Sequence, residues 1–213
     1  MKFIKDVELK GKRVLVRVDF NVPLTAEGKI DDDSRIRAAL PTLQHAAEQG
    51  AKLIVASHLG RPKGAPVAAL SLAPVADRLG ELMGRSVSMA PDCVGPDVEA
   101  MIGQVKPGEI VLLENLRFHE AEQANDDTFG QALGRLCDVY VNDAFAVSHR
   151  ANASVVAVTN HVSQKVAGLL LANELSWFKK AMDKPRRPLV AVVGGAKISS
   201  KLAALENLSL IHI

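Results

Sequence analysis

The chain has 213 residues, 48% of them hydrophobic and 23% charged, with a net charge of +2. That is ordinary globular composition with ample apolar material for a core. The small charge, scattered Lys and Arg and an aromatic content of 4% argue against a nucleic-acid binder, which needs clustered bases and stacking rings.

The first apolar run, Val14 to Val18, reads as a buried parallel strand over residues 13–19. It passes into Arg17-Val18-Asp19-Phe20-Asn21-Val22-Pro23, where the proline stops a central strand. Asp19 and Asn21 then stand at the carboxyl end of a buried strand, where open α/β sheets bind ligands. Further strands are predicted over 52–57, 86–89, 110–114 and 138–142. Helices are predicted over 41–49, 72–83, 96–105 and 126–136. Pro41 and Pro96 suit a first helical turn, which needs no N–H there, and Gly50 and Gly84 suit helix C-caps. The alternation predicts a doubly wound (Rossmann-like) α/β fold, a parallel sheet with helices on both faces.

A longer helical pattern covers 165–182, and the polar break Asp183-Lys184-Pro185-Arg186-Arg187-Pro188 follows. A strand over 189–193, the turn Gly194-Gly195-Ala196-Lys197 and a helix over 199–207 read as the first strand and helix of an incomplete second α/β domain. The final Leu208-Ser209-Leu210-Ile211-His212-Ile213 abandons the helical pattern. It matches the translation of a transposase-type sequencing adapter and is expected to be a non-native tail, the alternative being a natural apolar end. The amino terminus lacks an apolar h-region, and no apolar run reaches the ~18 residues that span a bilayer. A soluble cytoplasmic protein is expected. Cys93 and Cys137 lack metal-ligand spacing and read as two buried thiols in a reducing compartment. No metal ligands are predicted.

Basic residues recur after the strands. Arg35 follows the acidic turn Asp31-Asp32-Asp33. His58 and Arg61 lie in Ser57-His58-Leu59-Gly60-Arg61-Pro62. Arg117 lies in Leu113-Glu114-Asn115-Leu116-Arg117-Phe118. Arg150 ends Asn142-Asp143-Ala144-Phe145-Ala146-Val147-Ser148-His149-Arg150. If the preceding strands are parallel neighbours, these side chains surround one small volume. Guanidinium forks hold phosphate and carboxylate bidentately, so the pattern predicts a small, multiply charged anion. Each residue alone also has a plainer reading: a solvated arginine, a helix-capping or hydrogen-bonded loop histidine, or an Asx turn at Asp19, Asn142 or Asp143. The segment Gly194 to Lys201 fits neither the Walker pattern nor the dinucleotide one. It reads as a phosphate-approaching turn at a helix start or as an ordinary strand–helix turn.

Segments 17–23, 57–62, 113–118, 142–150 and 194–201, in that order, resemble the phosphoglycerate kinase family over nearly all of residues 1–207. The resemblance implies a two-lobed glycolytic enzyme, monomeric and cytoplasmic. Such an enzyme moves a phosphoryl group between 1,3-bisphosphoglycerate and ADP, giving 3-phosphoglycerate and ATP, with Mg2+. It implies a substrate lobe over 1–164, an interdomain helix and linker over 165–188, and the start of a truncated nucleotide lobe over 189–207. Carried over, Asp19 and Asn21 hold the hydroxyl and carboxyl end of 3-phosphoglycerate, and His58, Arg61, Arg117 and Arg150 clamp its phosphate. Phe20, Leu59 and Gly60 complete the substrate-binding set. Arg35 and Lys197 are the catalytic candidates that stabilise the phosphoryl in flight. Gly194, Gly195, Lys197 and Lys201 face the nucleotide phosphates, and the Mg2+ ligand lies in the missing lobe. The fragment is expected to be inactive. The alternative is a stand-alone module that binds a phosphorylated acid without catalysis.

Overall fold

The computed structural model describes residues 1–182 together with Arg187, Val190, Val192, Leu202 and Glu206. The expectations for 189–193, 194–201, 199–207 and 208–213 therefore lie outside the described residues, those single positions excepted. Residues Met1–Ala172 form one compact unit, and a second begins at Asn173.

Six strands make one sheet: β1 (Arg13–Arg17), β2 (Lys52–Ala56), β3 (Val87–Met89), β4 (Ile110–Leu112), β5 (Val139–Asn142) and β6 (Gln164–Ala167). Their order is β3-β4-β2-β1-β5-β6, with every pairing parallel. Successive side chains of a strand point to opposite faces, and here both faces are dry. Val14, Val16, Leu53 and Val55 enter one core; Leu15, Ile54, Val111 and Tyr140 enter another. The helices that cover a parallel sheet from both sides supply the rest.

On the first face lie α1 (Ser34–Glu48) and α2 (Ala73–Met83), through Ile36, Leu43, Val75 and Leu79. On the second lie α3 (Pro96–Gln104) and α5 (Asp127–Arg135), through Val98, Ile102, Phe129 and Leu133. Between β4 and α5 runs the short α4 (Glu120–Gln123). Pro96 opens α3 as its sequence suggests. Gly84 ends α2 in the left-handed region at φ 61°, where only glycine sits without strain. Asp126 caps α5, its side chain accepting from the Phe129 amide at 2.8 Å.

Two predicted boundaries are corrected. Helix α1 begins at Ser34, and Pro41 lies inside it. The buried stripe Ile36, Ala39, Leu43 and Ala46 keeps one apolar face on the sheet through the proline, and that packing outweighs the lost N–H bond. The helical reading of 165–182 is also corrected at its start. Residues Gln164–Ala167 form β6, paired along β5 from Val139↔Gln164 to Asn142↔Ala167. The helix α6 (Leu169–Met182) follows Gly168. The leucines that gave the helical period begin only at Leu169, whereas Val166 and Ala167 are buried sheet residues. A Cβ on Gly168 would stand 2.1 Å from Oδ1 of Asp143, so only glycine permits this close turn from strand to helix.

Candidate functional site

Strands β4, β2, β1 and β5 are adjacent in the sheet. They are the strands whose following loops carry Arg117, His58 with Arg61, Asp19 with Asn21, and Arg150. Parallel direction puts all four loops at one carboxyl edge, the usual ligand edge of a doubly wound sheet. An open cleft of about 340 Å³ there is lined by Arg61, Lys63, Arg117, Gln123 and Arg150. Among the described residues no carboxylate lines it. A larger cleft of about 600 Å³ is lined by Asp31, Asp32, Asp33, Asp77 and Glu81, which outnumber its basic residues Lys29, Arg37 and Arg78. Its acidic wall repels an anion, so the smaller cationic cleft is the candidate site.

The loops interlock through bonds between side chains and main chain. Ser57 donates its hydroxyl to the Val18 carbonyl at 3.0 Å and accepts from the Phe20 amide at 2.8 Å. Phe20 is fully buried beneath the loop. The Asn21 amide donates to Asp19 at 3.2 Å, an Asx turn, and Asn21 Oδ1 accepts from the Gly60 amide at 2.8 Å. Asn115, fully buried, accepts from the Leu59 amide at 3.2 Å and donates to the carbonyls of Leu59 and Leu70 at 2.8 and 2.9 Å. Arg117 donates through Nη1 to the Gly60 carbonyl at 2.7 Å. Gly60 has φ 60°, and a Cβ there would meet Leu70 at 2.7 Å. Asn142 also makes an Asx turn, accepting from the Ala144 amide at 3.0 Å. Asp143 instead turns inward, its Oδ1 accepting from the Leu171 amide at 3.0 Å.

Charge is concentrated around His58. Burial lowers its pKa first, and the guanidiniums of Arg17, Arg117, Arg150 and Arg35 push it further, down to about 2. The ring is neutral at pH 7. The Arg117 pKa is also lowered, by burial first and then by Arg150 and Arg17. Mutual repulsion of this kind is relieved by a bound anion. Arg35, in the first turn of α1, pairs with Asp19. Arg61 and Arg150 are exposed. Burial raises both thiols, that of Cys137 to about 12, and both cysteines are free.

The decisive comparison is of the whole chain with known sequences. The profile of the family described as phosphoglycerate kinase matches residues 4–211. The chain belongs to the phosphoglycerate kinase family. Phosphoglycerate kinase from Desulfosudis oleivorans is 58% identical over 208 residues, covering 98% of this chain and 52% of that protein. The Synechococcus elongatus phosphoglycerate kinase is 56% identical over 201 residues, 94% of this chain and 50% of that one. Among solved structures, phosphoglycerate kinase from Pyrococcus horikoshii OT3 superposes with a TM-score of 0.88 at 32% identity, over 99% of this chain and 53% of that one. The Coxiella burnetii phosphoglycerate kinase gives 0.85 at 41% identity, over 96% and 51%. The chain thus spans about half the length of the phosphoglycerate kinases it matches. No helix among the described residues is long and apolar enough to cross a membrane.

Several site residues escaped the sequence reading. Arg17 is 1% exposed, hidden within an apolar strand run. Its Nε donates to Ser154 Oγ at 2.9 Å, its Nη2 meets Nδ1 of His58 at 3.1 Å, and its Nη1 bonds the Val18 carbonyl. Glu122, with no exposure, accepts from the Ser154 hydroxyl at 2.6 Å and amide at 2.8 Å, and lies 4.0 Å from Arg17. An arginine inside an otherwise apolar strand is itself a signal, because a buried charge needs a partner. Lys63 and Gln123 line the cleft without any sequence pattern to mark them.

Proposed function

We propose that this chain is the 3-phosphoglycerate-binding part of a cytoplasmic phosphoglycerate kinase. The observation that carries this reading is the carboxylate-free cleft ringed by Arg61, Lys63, Arg117 and Arg150. Such a cleft suits a phosphate with a charge near two, held by charge-assisted forks. In this reading Arg61, Arg117 and Arg150 clamp the 3-phosphate. His58 is a neutral hydrogen-bond donor to it, and the backbone of Leu59 and Gly60 shapes the clamp over Phe20. Asp19 and Asn21 take the hydroxyl and carboxyl end.

The chemistry asks for little else on this side. The acceptor in the ATP-consuming direction is a carboxylate, already ionised at pH 7, so no general base is needed. Catalysis rests on alignment and on cancelling charge on the transferring group. Arg35 is the cation on this side that would do so, once substrate competes for its present partner Asp19. Lys197 is its counterpart. Lys197, Lys201, Gly194 and Gly195, proposed for the nucleotide phosphates, lie outside the described residues, and Mg2+-bound nucleotide is the second substrate. Residues 1–164 form the substrate lobe in this proposal, 165–188 the connection and 189–207 the opening of the nucleotide lobe. The working unit is a monomer that needs neither membrane nor nucleic acid.

A coupled assay of ADP phosphorylation from 1,3-bisphosphoglycerate tests the reading. The 213-residue chain alone should show only background turnover. The same chain fused to the remaining half of the Desulfosudis oleivorans relative should be active, and Arg35→Ala in that fusion should abolish most of the rate. A folded fusion with no activity, or full activity with Arg35→Ala, would refute it.

A further inference from the structure

Away from the anion cleft, Asp92, Cys93 and His119 come together from two loops. Their sequence spacing gives no hint of it. Strands β3 and β4 pair in parallel with Met89 opposite Leu112. Beyond them, the Ala90 amide bonds the Leu112 carbonyl at 2.9 Å and the Glu114 amide bonds the Asp92 carbonyl at 3.3 Å. These bonds hold the loop 91–95 beside the loop 113–119. A carboxylate oxygen of Asp92, Sγ of Cys93 and a ring nitrogen of His119 all lie within 4.8 Å of one another.

Nε2 of His119 is 2.8 Å from Oδ1 of Asp92. The imidazole also rests against Phe129 with ring centroids 5.3 Å apart, which limits its rotation. Cys93 has no exposure, while the side chains of Asp92 and His119 are 44% and 33% exposed. The sulfur is therefore the dry floor of the cluster, and the oxygen and nitrogen form a rim open to water.

We propose that Asp92, Cys93 and His119 form a binding site for a divalent zinc-like cation, with water as the fourth ligand. Zinc takes sulfur, nitrogen and oxygen at about 2.0–2.3 Å in a tetrahedron. Such ligand atoms stand about 3–4 Å from one another, so the cluster closes on the ion by small side-chain adjustments. A thiolate and an imidazole favour Zn2+ over the oxygen-seeking Mg2+, so this site is chemically distinct from any that serves a nucleotide. As the ion enters, the Cys93 thiol gives its proton to solvent. The bond between Asp92 and His119 is then replaced by bonds from each to the metal. Because His119 closes the loop that carries Arg117, the ion ties that loop to 91–95.

The test uses the reduced, metal-free 213-residue chain. It is titrated with Zn2+ against a chromophoric chelator, and separately with Co2+ to read the thiolate-to-metal charge-transfer band. Zn2+ should bind with one-to-one stoichiometry, and Co2+ should give the band. Cys93→Ser should abolish the band. Cys93→Ser and His119→Ala should each weaken Zn2+ by more than the about 10–100-fold that an outer-shell partner is worth. Cys137→Ser should change neither signal. His119→Ala, at a partly exposed position, keeps the test decisive should Cys93→Ser fail to fold. Absence of stoichiometric Zn2+ binding overturns the site. So does binding that survives both Cys93→Ser and His119→Ala. Neither result depends on whether 3-phosphoglycerate binds.

Discussion

Nη2 of Arg17 stands 3.1 Å from Nδ1 of His58, and both side chains are buried. A guanidinium can only donate, so Nδ1 must accept and the ring proton must sit on Nε2. Burial and the surrounding guanidiniums keep the ring neutral, and the buried arginine fixes its tautomer. Together they make His58 a single-proton donor at the anion edge.

The first prediction follows from that pair. The His58 pKa lies far below the ordinary value near 6.5, at about 2. An unfolded chain therefore takes up a proton here that the folded chain refuses. The stability contributed by His58 is complete above about pH 6.5 and is lost as pH falls toward the folded value. Nitrogen-15 NMR should show a neutral Nε2–H ring that does not titrate between about pH 4 and 8. A His58 signal titrating near 6.5 would contradict the Arg17 lock.

Glu122 supplies the opposite charge to Arg17 at 4.0 Å and anchors Ser154, which in turn accepts from Arg17. Removing one partner of a buried pair leaves an uncompensated charge. Glu122→Gln should cost about 3–5 kcal/mol in urea unfolding. Glu81→Gln, which removes the exposed partner of Arg78, should cost no more than about 1 kcal/mol. Equal effects from the two substitutions would show that burial does not set the scale here.

A third prediction concerns packing on the second face. A Cβ on Gly130 would stand 2.6 Å from Cβ and 2.7 Å from the carbonyl carbon of Ala157. The obstacle includes main chain, which cannot swing aside. Gly130→Ala should therefore destabilise by about 1–3 kcal/mol through overpacking, despite the better helix propensity of alanine. It should leave anion binding unchanged in the folded protein. A neutral or stabilising result would mean that α5 can shift off residues 157–160.

Much of this was legible in the residues. Short apolar runs between helical patterns gave the parallel sheet, because a strand dry on both faces has no polar alternation to hide it. The polar residues after four of those runs marked the ligand edge. Three features were not legible. Val166 and Ala167 are too short a run to separate from the helical leucines that follow, and only pairing with β5 makes them a strand. Arg17 lies in sequence within the apolar run, and its partners Ser154 and Glu122 are more than a hundred residues away. The cluster of Asp92, Cys93 and His119 is invisible for the same reason, since the β3–β4 register alone brings it together.

The central claim is tested most directly by calorimetric titration of the folded 213-residue chain with 3-phosphoglycerate at low and raised salt. Binding should be one-to-one and should weaken as salt rises, because the clamp is cationic and open. Arg117 is buried beside Arg150 and tied to the Gly60 carbonyl, so Arg117→Ala should cost about 2–5 kcal/mol of affinity. A folded chain that takes up no 3-phosphoglycerate, or one whose affinity ignores both salt and Arg117→Ala, would contradict the account.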